Sequence, residues 1–108
     1  HEIGDYYFKQ KNFVSSLEFF EKAVNLNPYE LTYKENLANT HLKLGNFQTA
    51  ADILTELIDV DGSTSIKVKY LRVLAYLNLK DFTTACKYIE EIKDNVLVKD
   101  IELERFCN

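Results

Sequence analysis

Proline occurs once and glycine three times in 108 residues, too few for a β-rich fold whose tight turns draw on both. That scarcity suits long helices joined by short links. No apolar run approaches the ~18 residues a membrane-spanning helix needs, and no basic-then-apolar leader is present, so membrane insertion is not expected. Positive charge is also short. Thirteen Lys and Arg against 17 Asp and Glu give a net charge of −4 and a pI near 5.1. This argues against a general nucleic-acid binder, since phosphate contact needs a net basic face. The only two cysteines, Cys86 and Cys107, lie far apart and fit no metal spacing. They read as free thiols in a reducing cytosol. Neither a Gly-rich phosphate loop nor a Cys/His cluster appears, so no cofactor and no metal is expected.

What is present is apolar material, 46% of the residues, with 28% charged and tryptophan absent beside seven Phe and seven Tyr. This is one domain's worth of chain, able to build a single elongated core. Laid on itself, the sequence repeats. A step of 34 takes Gly4 to Ala38, Tyr7 to His41, Phe13 to Phe47, Ser16 to Ala50, Leu26 to Val60 and Pro28 to Gly62. A step of 35 takes Phe47 to Phe82 and Ala50 to Ala85. Small residues match small ones, and large apolar residues mostly match large ones. A period in this range, with two helical patterns per unit, marks a stacked helical solenoid.

These residues resemble the tetratricopeptide repeat family. The first copy runs through Gly4, Tyr7, Phe13, Ser16, Phe20, Ala23 and Pro28. The second uses Leu37, Ala38, Gly45, Phe47, Ala50 and Leu57, and the third Tyr76, Phe82, Ala85 and Ile92. The resemblance implies an all-α, right-handed solenoid of about three helix-turn-helix hairpins plus a C-terminal helix. The expected units are 1–30, 31–64 and 65–95, with 96–108 a capping helix or the start of a fourth unit. Three departures stand out: Ser16 for a usual Ala, His41 for a Tyr and Gly62 for a Pro. The third unit carries an extra residue near its start.

Local chemistry agrees with this division. Asn12, Asn46 and Asp81 each precede a Phe that opens a second helix, and all are good N-cap types. Gly45 suits the left-handed residue that ends a helix. Pro28 falls where one unit gives way to the next and is tolerated in a helix's first turn. Ser63, Thr64 and Ser65 are candidate caps for the third unit. The chain opens abruptly inside a helical pattern, as a piece of a longer protein would, and localisation signals can lie outside it. A cytoplasmic setting is the expectation.

No enzyme is expected. His1 is terminal, and His41 stands where an aromatic packs; neither has a Ser, Cys or carboxylate at a spacing that makes a nucleophile system. Glu90 with Glu91, and Glu102 with Glu104, read as solvated faces. The functional candidate is instead the concave groove that the resemblance assigns to the first helices. Its residues are Glu2, Asp5 and Lys9, then Glu35, Asn36, Asn39 and Lys43, then Lys67, Tyr70 and Leu74. Steps of three and four place the first two sets each on one face. The expected partner is a protein or peptide, bound as an extended strand or a helix.

Family members that grip acidic chaperone tails use a two-carboxylate clamp of Lys, Asn, Asn, Lys and Arg. Here Asn36 matches the second Asn and Lys67 the fifth-helix Lys. His1, Asp5 and Leu71 hold the other places, with Arg72 next to the last. An Asp facing a carboxylate repels it, so this clamp is not expected. The alternatives are a stretch of a longer scaffold that self-associates or assembles through terminal helices, or an accessory domain of a larger enzyme. RNA binding would need basic residues and aromatic platforms along the groove, whose charge is instead nearly balanced.

Overall fold

A Phe preceded by Asn or Asp restarts the helix three times, and in the computed structural model the backbone turn before each restart closes alike. The structure describes residues 2–107, apart from the side chains of Glu2 and Asp100; His1 lies outside them. The helices are α1 (Glu2–Lys9), α2 (Phe13–Leu26), α3 (Leu31–Lys43), α4 (Phe47–Asp59), α5 (Ile66–Asn78) and α6 (Phe82–Ile92). At each hairpin turn the backbone N–H of Asn12, Asn46 or Asp81 donates to the carbonyl of Tyr7, His41 or Tyr76, at 2.8, 2.8 and 3.0 Å. The residue just before takes positive φ: Lys11 (59°), Gly45 (81°) and Lys80 (60°). This is the Schellman closure, in which a left-handed residue lets the chain satisfy the last helical carbonyls.

The same bonds fix the register of the third unit. Tyr76 is the counterpart of His41, so the extra residue lies in the link between α4 and α5, where Gly62 also turns at φ 75°. Ser65 caps α5 by accepting from the Val68 N–H, and Ser63 accepts from Ser65 N–H. Asn12 and Asp81 cap through their side chains. Asn46 does not; its amide is drawn to His41 Nδ1 at 3.2 Å. Pro28 lies in the turn before α3 rather than in its first helical turn.

Successive helices pack antiparallel within and between hairpins, giving a body of 41 × 26 × 23 Å. Gly4 is required by contact: a Cβ there would stand 2.8 Å from the Phe20 ring. The hydroxyl of Ser16 donates to the Gly4 carbonyl at 3.0 Å in the buried hairpin seam, which accounts for Ser in place of Ala. One core layer joins Ala38, Leu54, Leu57, Val68 and Leu71; a second joins Val73, Ile89, Ile92, Val98 and Leu103.

Two expectations are corrected at the C-terminal end. Instead of a further α-helix, the segment after α6 forms two 3-10 turns, Lys99–Ile101 and Leu103–Phe106, broken at Glu102 with φ 57°. Segments this short gain little from helix propagation, and among the described side chains of this one only Val98 and Leu103 are deeply buried, at 4% and 2% exposure. The cysteines are not free thiols: Cys86 of α6 and Cys107 form a disulfide, with Cα atoms 5.6 Å apart. Separation along the sequence hid the pairing, which exists because this segment folds back over α6.

Candidate functional site: the α3–α5 groove

The first helices of neighbouring hairpins meet through polar side chains on one side of the stack. Glu35 of α3 and Lys67 of α5 form an ion pair at 3.2 Å. One helical turn further on, Asn39, Leu42 and Lys43 of α3 face Leu71, Leu74 and Asn78 of α5, with Phe47 at the end. Together they line a depression of about 270 Å³. The floor is leucine, because these residues also pack on the first core layer. Amides and one lysine form the rim. The Asn78 side chain donates to the Leu74 carbonyl at 2.8 Å, so its carboxamide oxygen is left for a ligand.

Of the residues expected in the groove, Asn39, Lys43 and Leu74 line the depression together, and Glu35 and Lys67 bridge beside it. Asn36 is half-buried one turn away, its carbonyl accepting from the Thr40 hydroxyl at 2.7 Å. Asp5 is half-buried and engaged within the chain, while Lys9 is exposed. The side chain of Glu2 lies outside the described residues. Tyr70 is half-buried and packs against the second core layer, as do Ile66 and Leu77, and it does not line the depression. Leu42, Phe47, Leu71 and Asn78 were not anticipated. In sequence they look like ordinary packing and helix-end residues; only the proximity of α3 and α5 gathers them.

Charges around the groove are mostly committed. Lys34 has a largely buried side chain and pairs with Glu56 and with Asp61, the latter at 2.7 Å. Burial works against its charge, but the two carboxylates outweigh that and raise its pKa. Arg72 is 2% exposed. Its guanidinium stacks 3.4 Å from the Tyr88 ring centroid and bonds Glu91 at 3.2 Å, so it faces α6. His41 is 9% exposed; burial lowers its pKa, opposed by Glu21, and favours the neutral ring. Among the described residues, no group of three or more His, Cys, Asp or Glu is placed to hold a metal.

Residues 1–30 match the tetratricopeptide repeat family model. The chain is 26% identical to the Hsp70-Hsp90 organising protein of Plasmodium falciparum (isolate 3D7), over 85% of this chain and 18% of that protein. It is 27% identical to the E3 ubiquitin-protein ligase CHIP of Arabidopsis thaliana, over 86% of this chain and 33% of that protein. The chain thus spans a third or less of the curated relatives it matches. Among solved structures, the Arabidopsis OM64 TPR domain superposes with a TM-score of 0.80 at 24% identity, covering 98% of this chain and 89% of that one. The first TPR of Spaghetti (RPAP3), bound to the HSP90 peptide SRMEEVD, gives 0.80 at 23%, covering 97% and 87%. The family's match thus falls on the first hairpin, and all three hairpins share the fold of solved tetratricopeptide repeat domains.

Proposed function

We propose that this domain is a protein-interaction module whose α3–α5 groove holds a peptide or helix of mixed or neutral charge. The observation that carries this reading is the open depression in which the amides of Asn39 and Asn78 and the ammonium of Lys43 surround a leucine floor. An apolar side chain can sit on such a floor while amides bond its backbone through donor and acceptor. Asn36 extends the polar rim, and the Glu35–Lys67 pair offers either sign to an incoming charge. The other expected residues, Glu2, Asp5 and Lys9, would extend the surface along the first hairpin.

An acidic tail such as SRMEEVD, seen on a structural neighbour, is not the ligand proposed. Asp5 stands where an amide would meet a carboxylate, Leu71 where a base would, and the adjacent Arg72 is spent on Tyr88 and Glu91. The test compares labelled SRMEEVD with partners captured on immobilised wild type and on the Asn36→Ala, Asn39→Ala double variant. The reading expects no saturable SRMEEVD binding, and partners retained by wild type but lost by the double variant, with both proteins equally folded. Saturable SRMEEVD binding, or partners kept equally by both, would sink it.

A second reading, a segment of a longer scaffold, is favoured by one feature. Ile3 and Tyr6 are 54% and 60% exposed, whereas their counterparts Leu37 and Thr40 in the next hairpin are 9% and 0%. The first helix thus shows apolar side chains at positions that a preceding helix covers elsewhere. No described helix is long and apolar enough to cross a membrane; the disulfide is the observation that weighs against a reducing compartment.

A further inference from the structure

The two core layers are copies. A step of 35 residues carries Ala38 to Val73, Leu54 to Ile89, Leu57 to Ile92 and Val68 to Leu103, and each set of four lies together in one cluster. Leu103 therefore does against α6 what Val68 of α5 does against α4. The strap of residues 96–107 thus occupies on α6 the place that α5 occupies on α4. The strap is lightly held. Its described backbone hydrogen bonds are all local, and Val96, Leu97, Ile101 and Phe106 are exposed. Besides Val98 and Leu103, its deep anchors, the covalent tie is Cys107 to Cys86. That tie is reachable: Phe82, Thr83 and Phe106 with the two cysteines line an open cleft of about 290 Å³.

We propose that Cys86–Cys107 is a reversible thiol–disulfide site, at which a dithiol reductant unlatches the strap and bares the face of α6 that it covers. Written for attack at Cys107, one thiolate of the dithiol enters the cleft and bonds to Cys107 Sγ. The S–S bond breaks, and Cys86 leaves as a thiolate that takes up a proton. The second thiolate of the dithiol then attacks the mixed disulfide, forming the reductant's own disulfide and freeing Cys107 as a thiol. Two electrons pass to the protein and two protons complete its thiols. The strap, then held chiefly by two apolar anchors, exchanges between closed and open, while the hairpins keep their own cores.

The experiment treats the folded, oxidised protein with dithiothreitol and follows native-buffer alkylation of both cysteines alongside amide hydrogen exchange. Both thiols should alkylate without denaturant. The Val98, Ile101, Arg105 and Cys107 amides should lose about tenfold or more of their protection, while α3 and α4 keep theirs. Cys107→Ser should show the reduced pattern without reductant; α3 and α4 protection reports whether that variant is folded, and the dithiothreitol arm stands without it. A bond reduced only after unfolding makes the pair a fixed clasp and overturns the proposal. So does reduction that leaves strap protection unchanged, or oxidised protein whose thiols alkylate from the outset.

Discussion

Single residues at the hairpin turns carry a cost that their equivalents avoid. Lys11 and Lys80 adopt the left-handed conformation that Gly45 adopts at the matching place, and a Cβ makes that region unfavourable. Lys80→Gly should therefore stabilise the domain by about 0.5–1 kcal/mol, the strain relieved exceeding the added freedom of the unfolded chain; urea unfolding would check it, and a loss of stability would contradict it. Gly4 behaves oppositely. Its Cβ would meet the Phe20 ring at 2.8 Å, so Gly4→Ala should cost about 1–3 kcal/mol by overpacking, despite Ala's better helix propensity. His41 adds a pH dependence. Its folded pKa lies below the unfolded value because burial disfavours the cation. The unfolded state then binds more protons below about pH 6.5, so stability is full above that pH and falls as acid is added. Wild type should lose more of its urea midpoint between about pH 7 and pH 5 than His41→Phe does; parallel losses would place the titration elsewhere.

Among elements, the hairpin seam is set by small buried side chains. Ala50 and Ala85 are both 0% exposed at the same place in α4 and α6, where only a methyl fits between paired helices. Ala50→Leu and Ala85→Leu should each cost about 1–3 kcal/mol, read from urea titrations. An unaffected midpoint in either would mean that the seam can open without penalty. The C-terminal segment shows the opposite balance. Its apolar residues match a helix's core register in Leu103, yet it forms 3-10 turns, because few contacts support the α form over so short a length.

At the scale of the molecule, stability in a stacked repeat is nearly a sum over units and their interfaces. The pair α3–α4 has a hairpin on each side, whereas α1 packs chiefly on α2 and leaves Ile3 and Tyr6 exposed. Amide exchange should accordingly be slowest in α3, α4 and the start of α5, and fastest in α1. Protection greatest in α1 would refute the picture of end fraying. The same stacking makes the groove: α3 and α5 are brought side by side by helices that contribute mostly core, so Asn39 and Asn78 come to share one depression.

Much of this was written locally. Period, small-residue seam and the three hairpins follow from side-chain size and backbone preference within about 35 residues, and three imperfect copies agree where one would not. The resemblance assigned the groove to the first helices, and helical spacing then grouped Asn39 and Lys43 on one face of α3. What sequence left open depended on residues far apart along the chain. The single-residue offset of the third unit was settled by the Tyr76 carbonyl, and Tyr70 packs half-buried on the second core layer. Arg72 turned to Tyr88 and Glu91 of α6, away from the groove. Cys86 met Cys107 only because the strap doubles back on α6. The sequence by itself determined the repeat, since that is encoded by short-range periodicity. The tertiary structure alone decided which side chains face the groove and which thiols meet, because those depend on how one helix lies against another.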